Sequence, residues 1–290
     1  MPSYDELLAA SGLPRLESRL LMAHASGLAR EALLARGDRP CPATARERFD
    51  VLAARRRRGE PIAYLLGERE FYGRVFRVDA RVLIPRPDTE TLVDAALARI
   101  ARLAAPRVLD LGTGSGAIAV TLALERPDAV VVATDRAQDA LDLAAQNAAR
   151  LGARVEFRQG DWWAALATQQ DAAPAPFDLV VSNPPYIAED DPHLAQGDLR
   201  HEPRDALTPG GDGRIALSRI VAGARAHLRV GGWLLLEHGH DQGAVTRAAC
   251  VAAGFDDVAT FPDLAGRDRV TGGRSGARPG PRHVRDTLAG

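Results

Sequence analysis

The run Val108-Leu109-Asp110-Leu111-Gly112-Thr113-Gly114-Ser115-Gly116 decides the fold. Its first four residues have the short, mostly apolar character of a strand buried on both faces. The glycines that follow suit a tight turn, because glycine takes up left-handed backbone at no steric cost. Residues 117–124 then read as a helix. Gly112, Gly114 and Ala117 satisfy the spacing G-x-G-x-x-G/A, in which the chain turns sharply and lets a ligand approach the backbone. The turn alone is a weak signal; its surroundings carry the argument.

Downstream, strand-like and helix-like segments alternate. Residues 130–135 form a second strand ending in Asp135, and 137–151 a helix. A third strand is expected over 155–158, a fourth over 177–182, a helix over 215–228, a fifth strand over 232–237, a helix over 245–253 and a sixth strand over 257–261. This succession predicts an α/β fold with a doubly wound, Rossmann-like sheet. Upstream, residues 3–58 carry helical periodicity, with Ser3 as an N-cap, a break at Ser26-Gly27 and a proline opening the helix over 42–58. Residues 70–78 alternate around Gly73 and read as a β-hairpin linker. Asp88 or Thr89 can cap a helix running to Ile100, although a helix start alone does not explain why Arg86 sits between two prolines. The run Arg55 to Arg58 reads first as a solvated helix end and second as a patch for an acidic partner. From about Gly273 the chain is rich in Gly, Arg and Pro and reads as a mobile tail.

Composition narrows the function classes. The formal net charge is -1, which gives no global electrostatic case for a nucleic-acid binder. Every basic residue apart from histidine is arginine. The only cysteines, Cys41 and Cys250, lie far apart, which argues against a disulfide framework or a cysteine zinc site and fits a reducing cytoplasm. No signal segment and no apolar run of membrane-spanning length is read. His238-Gly239-His240 is spaced like a metal pair on a strand face, but lacks a convincing third ligand, so no metal is expected.

The second decisive stretch is Phe177-Asp178-Leu179-Val180-Val181-Ser182-Asn183-Pro184-Pro185-Tyr186. A strand must stop at two successive prolines, which have no N–H to donate and which hold the preceding residues extended. The result is a stiff loop at the carboxyl end of a strand, where open α/β sheets bind ligands. Such a loop can grip a planar –NH2 group. The Asn183 oxygen accepts one N–H, the Pro184 carbonyl accepts the other, and the Tyr186 ring lies against the flat face. Asp135, about 20 residues beyond the glycines, is placed to hold ribose hydroxyls, which suits NAD and S-adenosylmethionine equally. Asp110 can face a cationic amino group. Asp161-Trp162 offers an acceptor and a ring for an adenine, though Trp162 could also be a core residue. A hydride-transferring enzyme would have little use for the –NH2 grip.

These motifs resemble those of the release-factor glutamine methyltransferases, the PrmC/HemK family of class I S-adenosylmethionine-dependent methyltransferases. Asn183-Pro184-Pro185-Tyr186 is similar to the family's substrate motif, and residues 110–116, Asp135 and Asp161-Trp162 to its cofactor motifs. The likeness extends to residues 83–90, to 193–203, to Glu237-His238-Gly239 with Gln242-Gly243, and to 263–269. His201 stands where the family pattern would have an aromatic residue. The resemblance implies methyl transfer from S-adenosylmethionine to the side-chain amide of the glutamine in the Gly-Gly-Gln motif of peptide chain release factors. It implies Asn183, Pro184 and Tyr186 as catalytic residues and Pro185 as a further substrate contact. It implies a cofactor site of Asp110, Gly112, Thr113, Gly114, Ser115, Gly116, Asp135, Trp162 and Asn183. The expected layout is a substrate-docking helical domain over 1–60, a hairpin linker over 61–85, a methyltransferase domain over 86–275 and a tail over 276–290, in a cytoplasmic monomer. Two other substrates fit the same grip: a ribosomal-protein glutamine, and an adenine amino group in nucleic acid. The latter usually requires a basic recognition region that this chain lacks. An intact Asn183 argues against a catalytically silent cofactor-binding module.

Overall fold

A computed structural model describes residues 1–167 and 175–277. The N-terminal helices are α1 (Tyr4–Ala10), α2 (Arg15–Ser26), α3 (Arg30–Ala35), α4 (Ala43–Arg57) and α5 (Ile62–Leu66). Ser3 caps α1 through a reciprocal capping box: its hydroxyl accepts from the Glu6 amide, and the Glu6 carboxylate accepts from the Ser3 amide. Gly27 ends α2 in the left-handed conformation, φ 71°. These helices bury Leu21, Met22, Leu33, Phe49 and Leu65 together in one apolar cluster. Leu65 lies on α5, so the apolar cluster of the helical unit takes in a helix that runs to Leu66, a few residues past the expected boundary at residue 60.

Next come β1 (Glu68–Phe71) and β2 (Arg74–Arg77), an antiparallel hairpin closed by Tyr72 and Gly73, both at positive φ. Helix α6 (Glu90–Ile100) is preceded by a 3-10 turn over Pro87–Thr89, and neither Asp88 nor Thr89 makes a side-chain capping bond. The expected cap is absent because both side chains are engaged elsewhere: Asp88 pairs with Arg269 at 3.0 Å, and Thr89 faces Asn183.

The remaining elements are β3 (Arg107–Leu111), α7 (Ala117–Glu125), β4 (Val130–Asp135), α8 (Gln138–Leu151), β5 (Val155–Gln159), β6 (Phe177–Ser182), α9 (Arg204–Leu207), α10 (Ile215–His227), β7 (Leu228–Glu237), α11 (Gly243–Ala252), β8 (Phe255–Pro262) and β9 (Asp268–Ser275). The sheet has seven strands in the order β5-β4-β3-β6-β7-β9-β8. The first five are parallel, and β9 runs antiparallel between β7 and β8. Alternation along each strand divides the core. Val108, Leu179 and Val181 meet α6 and α7 on one face, while Leu109, Val180 and Leu234 meet α10 on the other.

Three expectations give way. The strand over Asp268–Ser275 was not expected, and it carries ordered structure past Gly273, where a tail was read. The rest of that tail, 278–290, lies outside the described residues. Strand β7 begins at Leu228, four residues earlier than the glycine pair suggests. The arginine run is a solvated helix end only in part: Arg57 and Arg58 are exposed, but three of its members are tied to neighbouring segments. Arg55 pairs with Glu60, Arg56 with Glu17 and Asp198, and Arg57 donates to the Ser11 carbonyl.

Candidate active site

Sheet register places the site. One rung joins Leu111, Thr134, Ser182 and Leu236 across β4, β3, β6 and β7. One residue beyond that rung stand Gly112, Asp135, Asn183 and Glu237, all at the carboxyl end of the parallel strands. The Ser182 hydroxyl donates to the Leu111 carbonyl at 2.6 Å and ties the Asn-Pro-Pro-Tyr loop to the glycine turn. A cavity of about 530 Å³ opens above this level. Gly112, Thr113, Gly114 and Ser115 line it, as do Asp135, Asp161, Trp162, Asn183, Pro185 and Thr89. Gly116, Asp110, Pro184 and Tyr186 are not among its lining residues.

The glycine turn is held from below. Gly112, Gly114 and Gly116 have φ of 75°, 54° and 82°. The amides of Gly112 and Thr113 both donate to the Thr134 carbonyl at 2.9 Å. Asp135 clasps the turn: one carboxylate oxygen accepts from the Gly114 amide at 2.9 Å and the other from the Ala137 amide at 3.0 Å. Burial raises the Asp135 pKa, and these two amides oppose the shift. Trp162, itself at positive φ (49°), lays its ring against Gly112, where a Cβ would sit 3.3 Å from the ring. It also packs on the core beneath, so it serves as a cavity wall and a core residue at once.

Asp110 is fully buried under the turn. Thr113 donates to one of its oxygens at 2.7 Å, and the other has no partner. Burial pushes its pKa up to about 7. Glu237 is its counterpart one strand past the loop. It is buried, one of its oxygens has no partner, and burial likewise pushes its pKa up to about 7.

The Asn-Pro-Pro-Tyr loop is gripped on several sides. Asn183 donates its Nδ2–H to the Thr89 hydroxyl at 3.2 Å, which leaves its oxygen available to the cavity. The Tyr186 hydroxyl donates to Glu237 at 3.3 Å, and burial raises the Tyr186 pKa. The Tyr186 carbonyl accepts from Gln242 at 2.9 Å. Gly213, at φ 78°, packs so closely on the Tyr186 carbonyl and the Ala188 amide that no side chain fits there. Arg86 and Ile84 explain the proline-flanked arginine: the Arg86 guanidinium and the Ile84 amide both bind buried Glu202 in the segment after the loop.

Sequence reasoning saw Thr89 only as a helix cap. Glu237, which the sequence offers equally for a structural hydrogen bond and for substrate binding, follows the rung on the strand beside Asn183 and bonds Tyr186.

Comparison with known proteins bears on this architecture. Residues 4–67 match the family model for the PrmC N-terminal domain, and residues 89–219 that for the methyltransferase small domain. The release factor glutamine methyltransferase of Neisseria gonorrhoeae is 52% identical over 272 residues, covering 94% of this chain and 97% of that protein. That of Burkholderia pseudomallei is 54% identical over 275 residues, covering 93% and 95%. Among solved structures, a methyltransferase from Pyrococcus furiosus superposes with a TM-score of 0.51 at 17% identity, covering 77% of this chain and 98% of that one, a likeness of fold alone.

Proposed function

The chain belongs to the release factor glutamine methyltransferases, and from that premise we infer that it transfers a methyl group from S-adenosylmethionine to the side-chain amide nitrogen of the Gly-Gly-Gln glutamine of peptide chain release factors. The observation that carries the reading is Asn183 on the wall of a cavity whose floor is the glycine turn, one residue past a shared rung.

The residues present fit the cofactor. About 530 Å³ is the size of a small-molecule site. A Cβ at Gly114 would meet nothing within 4 Å, so the turn's backbone is open to a ligand. Asp135 keeps lone pairs for ribose hydroxyls after serving two amides. The unpartnered oxygen of Asp110 suits a cationic group reaching it past Thr113. Trp162 and Asp161 border the cavity at the end of β5, where they can take the adenine face and edge. When bound, S-adenosylmethionine supplies an electrophilic methyl group on a sulfonium that departs as a neutral thioether.

The protein's part is to position the nucleophile. An amide nitrogen attacks poorly because its lone pair is delocalised. Asn183 Oδ1 accepts one N–H of the target amide and the Pro184 carbonyl the other, while Tyr186 supports the amide face. As the nitrogen forms its bond to carbon its N–H groups become more acidic, so both acceptors bind more tightly towards the transition state. The nitrogen's extra proton leaves after the methyl has moved, and no strong base is needed beforehand. The helical unit that precedes the hairpin docks the body of the release factor away from the reacting amide.

The net charge of -1 supports a protein rather than a nucleic-acid substrate. Both cysteines are free and buried, which suits the cytoplasm where release factors work, and the reading takes the enzyme as a monomer. No helix among the described residues is long and apolar enough to cross a membrane. The test is incubation with methyl-labelled S-adenosylmethionine and, separately, a release factor, a ribosomal-protein mixture and DNA. Label is expected on the release factor and lost when its Gly-Gly-Gln glutamine is replaced; preferential labelling of either other substrate refutes the assignment.

A further inference from the structure

We propose that Gln242 is a positioning residue for methyl transfer: by bridging the Gly239 amide and the Tyr186 carbonyl it fixes the far end of the Asn-Pro-Pro-Tyr loop, and through it the acceptors that grip the target amide. The proposal rests on the reading of Asn183 and the Pro184 carbonyl as those acceptors.

Gln242, buried at the N-cap of α11, spans two main-chain groups. Its oxygen accepts from the Gly239 N–H at 3.0 Å, and its nitrogen donates to the Tyr186 carbonyl at 2.9 Å. A backbone amide can only donate and a backbone carbonyl can only accept, so the two ends admit one orientation of the glutamine amide. The backbone of Gln242 is held as well. Its amide donates to the Gly239 carbonyl at 2.9 Å, and its carbonyl accepts from the Thr246 amide at 3.0 Å. The peptide group that Gln242 reaches is pinned at its other end, where the Ile187 amide donates to the Leu207 carbonyl at 3.0 Å. Gly213 closes a further side, since a Cβ there would sit 2.4 Å from the Tyr186 oxygen. The near end of the loop is tied by the Ser182 hydroxyl to the Leu111 carbonyl. Between these ends Pro184 and Pro185 lock their own φ and hold the residues before them extended. The loop therefore moves as a stiff stave. A shift at the Tyr186 carbonyl is carried to the Pro184 carbonyl and to Asn183 on the cavity wall.

The experiment compares the full-length enzyme with Gln242→Met, Gln242→Glu, Asn183→Ala and the double variant Asn183→Ala with Gln242→Met. Methionine keeps the length of the side chain and removes both polar ends. Glutamate keeps the shape and the acceptor for Gly239, but turns lone pairs on the Tyr186 carbonyl in place of the donor. Methylation of a release factor is measured at about pH 8.5, well above the ordinary carboxylate range. The rate is expressed per cofactor site counted by calorimetry, so unfolded protein does not lower it. Both Gln242 variants should lose about 10- to 100-fold in kcat, while KM for the release factor and affinity for S-adenosylmethionine stay within about twofold. The double variant should be about fivefold or more faster than the product of the single losses, because an acceptor that Gln242 aims is already gone. A kcat near the parent value for either Gln242 variant would overturn the proposal. So would a loss of cofactor affinity as large as the loss of kcat, or single losses that simply multiply. Any of these with a slow Asn183→Ala overturns this proposal alone; a normal Asn183→Ala would overturn the underlying reading and this proposal with it.

Discussion

Asp135→Ala separates the structural role of one carboxylate from the cofactor contact proposed for it. Asp135 accepts the Gly114 amide at 2.9 Å and the Ala137 amide at 3.0 Å, so it builds the turn before any ligand arrives. Hydrogen bonds to a charged acceptor contribute about 1.5–3 kcal/mol each. Asp135 is only partly buried by exposed area, so the lower figure applies, and the pair contributes about 3 kcal/mol. For a chain of this size that loss should lower the melting temperature of the ligand-free protein by roughly 5–10 °C. The remaining lone pairs are assigned to two ribose hydroxyls, at about 0.5–1.5 kcal/mol each. Their loss should weaken S-adenosylmethionine binding about 5- to 150-fold. Differential scanning calorimetry measures the first effect and titration calorimetry the second. Unchanged melting would refute the clasp, and unchanged affinity would refute the ribose assignment.

Gly213→Ala should cost about 2–4 kcal/mol, from a side chain at positive φ pressed onto the Tyr186 carbonyl, and should slow methylation; parental urea midpoint and turnover would show that the loop yields easily. Asp110 has a folded pKa of about 7, above its ordinary value of 3.8, so the folded protein holds a proton that the unfolded chain has released in between. Wild-type stability therefore declines as pH rises through that window, whereas Asp110→Asn lacks the titration. The melting temperature of the variant minus that of wild type should grow from about pH 4 to about pH 7 and then level off, and a flat difference would refute a buried, proton-holding Asp110. Arg56→Ala should destabilise by about 1–3 kcal/mol by freeing Glu17 and Asp198, and should weaken methylation of a whole release factor more than cofactor affinity; equal effects on both would count against a docking role for the helical unit.

What was legible in the sequence was whatever the backbone dictates locally. The glycine turn, the strand ending in Asp135 and the proline-stopped loop each announce themselves within a few residues, because glycine and proline restrict φ directly. Hidden features depend on distant partners. Thr89 looks like a cap because its hydrogen-bonding partner Asn183 is 94 residues away. Arg56 looks solvated because Asp198 is 142 residues away. Strand β9 escaped for a different reason. Gly272 and Gly273 lower its strand propensity, but a Cβ at Gly272 would press on Leu235 and one at Gly273 on Phe255. The glycines that disguise the strand are the ones that let it fit between its neighbours.

The place of β9 in the sheet bears on how the protein is made. It is the last described strand to leave the ribosome, yet it fills an interior position, with β7 on one side and β8 on the other. Until residues 268–275 emerge, β7 presents an unpaired edge, and β8 has no partner at all among the described strands. Arg269 arrives with the same strand and brings the cation that faces Tyr186 and Glu237. The nascent chain can therefore assemble its helical unit and its parallel strands early, but the Asn-Pro-Pro-Tyr loop, bonded through Tyr186 to Glu237 on β7, gains the second neighbour of that strand only once residues 268–275 have emerged.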